Sequence, residues 1–317
     1  MNNKILALTA TGYLELQHKV RLYEKQLVNA ATQPIPTTPN KTFDIALSNL
    51  EATNIVAMDE DNVNRLVNGF DVSFTKDNVA IVNVNGVFKR YTDWFERNWF
   101  GYFSTHDLSN TIRSIMRNTN NKGVVLKIYS PGGHVDGTKD LINAINSLQV
   151  NKPIVSVIEM AASAAAWLAG STDYCIASSQ LSTCGSIGVY TTHIDDSSFL
   201  ESIGIKVTYI TATKSTHKLI GVDGKPLSEE ELSKITSDLD AINNIMQSDI
   251  RRKRNNVLSG RSGNRTLDED TAFNAQTLTA RDARRIGLID EIATDGNPIP
   301  LAVRRTVSIY NKKNTKK

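Results

Sequence analysis

Apolar residues along this chain keep two different periods, and the places where one gives way to the other mark its elements. Val79 to Val84, Gly123 to Ile128 and Ile154 to Ile158 are near-continuous aliphatic runs of strand length, as expected of strands buried on both faces. Tyr174 to Ala177 and Val207 to Ile210 are shorter runs of the same kind. Leu108, Ile112, Ile115 and Met116 recur at three- and four-residue spacing within Asp107–Asn118, which predicts a helix, and Val135 to Leu148 carries the same spacing. Strands alternating with helices predict a mainly parallel α/β sheet.

The ends of the chain read differently. Tyr13, Leu16, Val20, Tyr23 and Leu27 form the narrow seam of an amphipathic helix, and Ala31 to Thr42, with Pro34, Pro36 and Pro39, reads as a linker. Residues 1–42 are therefore expected as an extension and residues 43–296 as the folded domain. Ser228-Glu229-Glu230-Glu231 is a capping box that opens a long helix with the stripe Leu232, Ile235, Leu239, Ile242 and Met246. Arg251-Arg252-Lys253-Arg254 is expected as its solvated C-terminal end. Thr279 to Asp282 starts a further helix that stops at Gly287, and Leu288 to Ile292 returns to the core. Residues 297–317, with Lys312, Lys313, Lys316 and Lys317, read as a basic, disordered tail.

Composition narrows the function classes. At 317 residues, 40% hydrophobic and 22% charged, the chain falls in the globular class, and a net charge of +3 gives no reason to expect a nucleic-acid partner. Cys175 and Cys184 have no second pair or histidine cluster to complete a zinc site, so they read as reduced packing residues and no metal or other cofactor is expected. The run Ile5-Leu6-Ala7-Leu8 is too short for a signal-peptide core, and no stretch reaches the roughly 18 apolar residues of a membrane span. Phe88 to Phe103 holds 8 of the 21 aromatic residues. Such crowding calls for burial, over a substrate groove, at a subunit interface or in ordinary core.

The candidate chemistry centres on Ser163. It follows the Ile154–Ile158 run and stands among five alanines and Trp167, where a strand passes into a helix; a serine there has the geometry of a nucleophile elbow, although Gly-x-Ser-x-Gly is absent. An alanine-rich helix with one serine is more often plain packing. Ser130-Pro131-Gly132-Gly133, however, ends the neighbouring strand, and paired glycines at a strand end can turn bare N–H groups towards an oxyanion. Both sites then lie at the same edge of a parallel sheet, where ligands bind. Thr213 to Lys218 offers two lysines, Lys214 and Lys218, as bases; a lysine serves only where its surroundings hold it as a free amine. None of the five histidines has a triad context.

Ser130–Gly133, Ala161-Ala162-Ser163-Ala164-Ala165, Gly185-Ser186-Ile187-Gly188-Val189, His217-Lys218 with Gly221 to Pro226, and Ala283 to Ile292 together resemble the signal peptide peptidase A family of serine proteases, over about Val79 to Ile292. The serine flanked by alanine pairs and the His-Lys segment are most similar to its phage head-maturation (prohead) branch. The resemblance implies a ClpP/crotonase-like fold of stacked ββα units and assembly into a homo-oligomeric ring. It further implies Ser163 as nucleophile and Lys218 as general base, with Lys214 as the rival. The Gly132, Gly133 and Ala164 backbone would form the oxyanion hole, and Ser186 would orient the lysine amine.

The reading that follows is a Ser/Lys endopeptidase acting on protein or peptide substrates, capsid or scaffold proteins above all, in the host cytoplasm within an assembling capsid. A cellular peptidase that degrades signal peptides is a second reading. A capsid-assembly scaffold with a vestigial site is a third, of another class. A crotonase-type acyl-CoA enzyme shares the fold but has no use for a serine followed by a lysine base.

Overall fold

The computed structural model describes residues 6–8, 57–59, 62–260 and 266–315. The Tyr13–Leu27 helix, the Ala31–Thr42 linker, the expected domain start at residue 43, and Lys316 and Lys317 lie outside these residues.

In chain order the strands are β1 (Leu6–Leu8), β2 (Ala57–Asp59), β3 (Asn62–Val67), β4 (Phe70–Phe74), β5 (Val79–Asn85), β6 (Val87–Lys89), β7 (Tyr102–Ser104), β8 (Gly123–Ser130), β9 (Gly132–His134), β10 (Ile154–Ala162), β11 (Tyr174–Ala177), β12 (Thr183–Gly185), β13 (Thr277–Thr279) and β14 (Glu291–Ile292). The helices are α1 (Trp94–Phe100), α2 (Thr105–Arg117), α3 (Thr138–Leu148), α4 (Ala164–Gly170), α5 (Ser197–Ser202), α6 (Glu229–Ser259), α7 (Glu269–Ala272), α8 (Ala280–Arg285) and α9 (Pro298–Asn314). The large sheet runs β13-β12-β10-β8-β5-β4-β3-β2, with β11 also beside β10 and β14 beside β11; the small one runs β1-β9-β6-β7. β5, β8, β10, β11 and β14 are parallel, as is the β10–β12 pair, while β2 to β5 form an antiparallel meander. This mixed α/β architecture around a mainly parallel sheet is the one expected.

Both faces of the sheet are covered, which is why its strands read as continuous apolar runs. Leu126, Ile128, Ile154 and Ile158 pack with α2, α3 and α4, while the alternate positions Val79, Val125, Val155 and Val157 pack with Ala302 and Val303 of α9. Residues 297–315, expected as part of a disordered tail, are thus ordered. Asn297 caps α9 and Pro298 starts it, and its apolar positions supply the second face of the sheet with its cover. Lys313 reaches back to Asp173 at 2.8 Å. Its basic end hid an amphipathic helix.

The basic cluster also needs correction. α6 does not end there but runs on to Ser259, and each member finds an acid: Arg251 with Glu269, Arg252 with Asp249, Lys253 with Asp173, Arg254 with Asp290. Arg254 and Asp290 are fully buried, their ion pair is 2.5 Å, and Asp290 also accepts the Cys175 N–H at 2.6 Å. Cys175 and Cys184 are buried free thiols, and burial pushes the Cys175 thiol up to about 12. Arg254→Met is expected to cost about 3–5 kcal/mol, because it strands a buried carboxylate. The shift in urea midpoint measures it, and adding Asp290→Leu should restore only part, since the Cys175 N–H then loses its acceptor.

The run Val207–Ile210, read as a strand, has no regular structure and is exposed. It belongs to the stretch 186–228, whose short contacts are largely with itself: Gly224 N–H to the Ile194 carbonyl at 2.8 Å, and the Tyr209 hydroxyl to the Asp223 carbonyl at 2.8 Å. A strand pattern without a neighbouring strand has no ladder to join.

Candidate active site

Ser163 is the single residue between β10 and α4, and the local sequence explains why the chain turns there. Ile154 to Ile158 favour extension, the following alanines favour helix, and Ser163 takes up the change with φ 55° and ψ −119°, a conformation that costs a non-glycine residue about 1–3 kcal/mol. Its N–H donates to the Gly185 carbonyl at 2.8 Å and its carbonyl accepts from Trp167 N–H at 2.9 Å, which hold it from both sides. Its hydroxyl donates to the Gly188 carbonyl at 3.3 Å, and the residue is 1% exposed. The register between β10 and β8 slips between Ile158 and Met160, a bulge of the kind that re-aims the end of a strand.

Strand register brings the other motifs to the same level. Ala161 pairs with Ser130 on one side, so Gly132 follows at the height of Ser163. Ala162 pairs with Gly185 on the other, which puts Ser186 there too, also at positive φ (50°). The Ser186 N–H donates to the Gln276 carbonyl at 2.7 Å. Gly133 can only be glycine: its φ is 157°, and an added Cβ would stand 2.3 Å from the Phe88 backbone. The N–H of Gly132 is engaged by Ser130 Oγ at 3.1 Å. Ala164 opens α4, where helix N–H groups lack intrahelical acceptors.

Lys218 is placed otherwise. It lies in the turns of residues 213–221, exposed, and among the described residues its ammonium makes no hydrogen bond or ion pair with Ser163 or Ser186. Lys214 is exposed as well. The structure thus gathers Ser163, Ser186 and the glycine pair at one sheet edge and leaves both lysines on the self-contained stretch beside it.

Three contributors carried no readable signal. The Gly188 carbonyl orients the serine hydroxyl. Asp249, buried in α6, accepts from Trp167 Nε1 at 3.2 Å and Lys139 Nζ at 2.5 Å, which braces the helix that starts at the serine. Leu6–Leu8, dismissed as too short for targeting, is a strand on Gly132–His134.

Among the described residues no group of histidine, cysteine and acidic side chains could hold a metal ion, and no helix is long and apolar enough to cross a membrane.

Residues 146–299 match peptidase family S49. Curated relatives include a candidate protease of Methanocaldococcus jannaschii, 28% identical over 59% of this chain and 57% of that protein. Protease 4 of Haemophilus influenzae is 29% identical over 68% of this chain and 33% of its own length. The head-tail preconnector protein GP5 of Enterobacteria phage P21 is 26% identical over 59% and 35%. The chain therefore spans from about a third to somewhat over half of the length of these relatives. Among solved structures, an enoyl-CoA hydratase/isomerase family member superposes with a TM-score of 0.41 at 15% identity, over 77% of this chain and 80% of that one. A mutant of a membrane-bound stomatin-specific protease gives 0.40 at 16%, over 70% and 82%. Ser163, Ser186 and Lys218 all fall within the matched residues, so this part of the chain is similar to peptidase family S49, the signal peptide peptidase A and protease 4 family that its motifs resemble.

Proposed function

We propose that this chain is a serine endopeptidase in which Ser163 attacks the peptide carbonyl and Lys218 takes its proton, with capsid or scaffold proteins of an assembling phage head as substrates. The strained elbow at Ser163, level with Gly132, Gly133 and Ser186 across two strand pairs, carries this reading. The match of residues 146–299 to peptidase family S49 supports the chemistry, and the likeness to a phage head-tail preconnector protein supports the substrate class.

The division of labour follows from the backbone. The Gly133 and Ala164 N–H groups stabilise the oxyanion as the tetrahedral intermediate forms. Ser163 Oγ exchanges its contact with the Gly188 carbonyl for one with the lysine amine. Ser186 orients that amine once the 186–228 stretch closes over the site. Closure is the part that assembly supplies, in a homo-oligomeric ring.

Incubation with an unfolded protein, followed by mass spectrometry of the fragments, tests the activity, and head proteins as substrates test the biological reading. Preference for detached signal peptides over head proteins would move the function to signal-peptide degradation; no turnover at all would leave a scaffold. Gly133→Ala is expected to lower turnover about 10²–10³-fold, the usual loss when an oxyanion donor is displaced. It should also lower the melting temperature, because β9 must shift away from Phe88. Thermal unfolding and steady-state rates read the two effects separately.

A further inference from the structure

β1 carries none of the reacting groups described above, yet it lies against the glycine pair. It runs antiparallel to β9, with Leu6 opposite His134, Ala7 opposite Gly133 and Leu8 opposite Gly132. The other edge of β9 is already taken at Gly133 by Phe88 of β6. β1 therefore fills the one edge of β9 that a further extended chain could join, and it does so at the glycines level with Ser163.

Its direction matters more than its presence. β9 leaves the catalytic edge at Gly132, so an antiparallel partner runs towards that edge, and Leu8 is the described residue of β1 closest to it in register. A peptide cleaved by a serine nucleophile presents its acyl half in this sense, running N to C towards the serine. Strand addition to a sheet edge is held by main-chain hydrogen bonds and so accepts many sequences. A strand laid on β9 in the reverse sense, or against β7 at the far side of the small sheet, would carry none of this meaning.

We propose that β9 is the acyl-side peptide groove and that the chain's own Leu6–Leu8 occupies it as a built-in competitor for extended peptide substrates. This rests on Ser163 being the nucleophile. A three-residue strand binds weakly, but tethering to the same chain gives it an effective concentration of up to about the millimolar range. Dilute peptides are then held off, while protein substrate concentrated in a closed assembly displaces the strand. With the groove free for about a tenth to a third of the time, the apparent affinity for an added peptide falls by about three- to tenfold.

The test uses the full chain on a Ser163→Ala background, so that nothing is cleaved. A fluorescein-labelled octapeptide with the sequence of residues 3–10 is titrated and followed by anisotropy. Three proteins are compared: the chain with β1 intact, the chain lacking residues 2–8, and the full-length Leu6→Pro/Ala7→Pro variant. Neighbouring strand residues alternate in facing the partner, so the double proline removes the bonding N–H whichever residue carries it. The expected result is binding about three- to tenfold tighter in both altered proteins, and loss of binding when the peptide itself carries the two prolines. Equal affinity for all three proteins, or no binding to any, overturns the proposal. Labelling of the unsubstituted chain by a fluorophosphonate keeps the two readings apart: labelled Ser163 without a peptide effect removes the competitor and leaves the nucleophile, while peptide competition without labelling removes the nucleophile and leaves the groove.

Discussion

Ser163→Ala and Lys218→Ala are each expected to abolish cleavage of an unfolded protein, by about 10⁴–10⁶-fold in kcat, and the double variant should be no slower than either one. Nucleophile and base act as a unit, so once one is gone the other has nothing left to contribute. Lys218→Arg should be equally inactive, because a guanidinium does not give up its proton. The fold should survive all of these changes: Lys218 is exposed, and Ser163→Ala removes only a hydroxyl whose described contact is a 3.3 Å bond to Gly188. It even relieves nothing at the backbone, since alanine pays the same cost at φ 55°. A Ser/Lys pair needs no metal ion, so a chelator should leave the rate unchanged. Near-normal activity in Lys218→Ala with loss in Lys214→Ala would move the base by four residues. Loss of activity in EDTA that zinc restores would remove the dyad altogether. Single-turnover rates with circular dichroism on each variant distinguish lost chemistry from lost structure.

The parts of the fold that could be read in advance are those whose sequence reports burial directly. Val79–Val84, Gly123–Ile128 and Ile154–Ile158 lie between two helical layers, and an all-aliphatic run has few other uses. α9 failed that reading because its apolar positions are interrupted by Arg304, Arg305, Lys312 and Lys313, so charge outweighed period. Arg254 was misread for the opposite reason: a run of four basic residues looks solvated until Asp290, 36 residues further on, comes into contact with it. Long-range pairing of this sort leaves no local trace. At the site, Ser163 and the glycine pair were legible because strand-to-helix junctions and positive-φ glycines are written in adjacent residues. The Gly188 carbonyl, the Asp249 brace and the strand Leu6–Leu8 depend on partners far away in sequence, and Val207–Ile210 shows that a strand pattern alone does not supply a neighbour to pair with.

The same stretch governs the last expected result, that proteolysis and assembly are lost together. Phe199, Ile203, Ile205, Val207 and Ile210 are exposed, Ile210 to 89%, and Lys218 lies eight residues beyond them. A second exposed group, Tyr91, Trp94 and Trp99, lies on the aromatic stretch, whose Phe88 and Phe103 are buried in the core. A monomer rarely leaves two such groups open. A closed ring, by contrast, needs two different patches on each subunit, because its contacts are head-to-tail rather than self-complementary. Phe199→Ser/Ile210→Ser and Trp94→Ser/Trp99→Ser should therefore each give a monomer that no longer cleaves protein, although neither pair touches Ser163. Mixed together, the two variants still hold one intact patch of each kind, so they should form a dimer and go no further. Removing residues 1–42 should leave the ring assembled and able to cleave an unfolded substrate. Size-exclusion chromatography with light scattering reads all four samples. A wild-type chain that is monomeric and fully active would sink the ring. Two variants that each disperse it but fail to pair would show that the patches do not meet one another, and a truncated chain that falls apart would move the contact to the N-terminal segment.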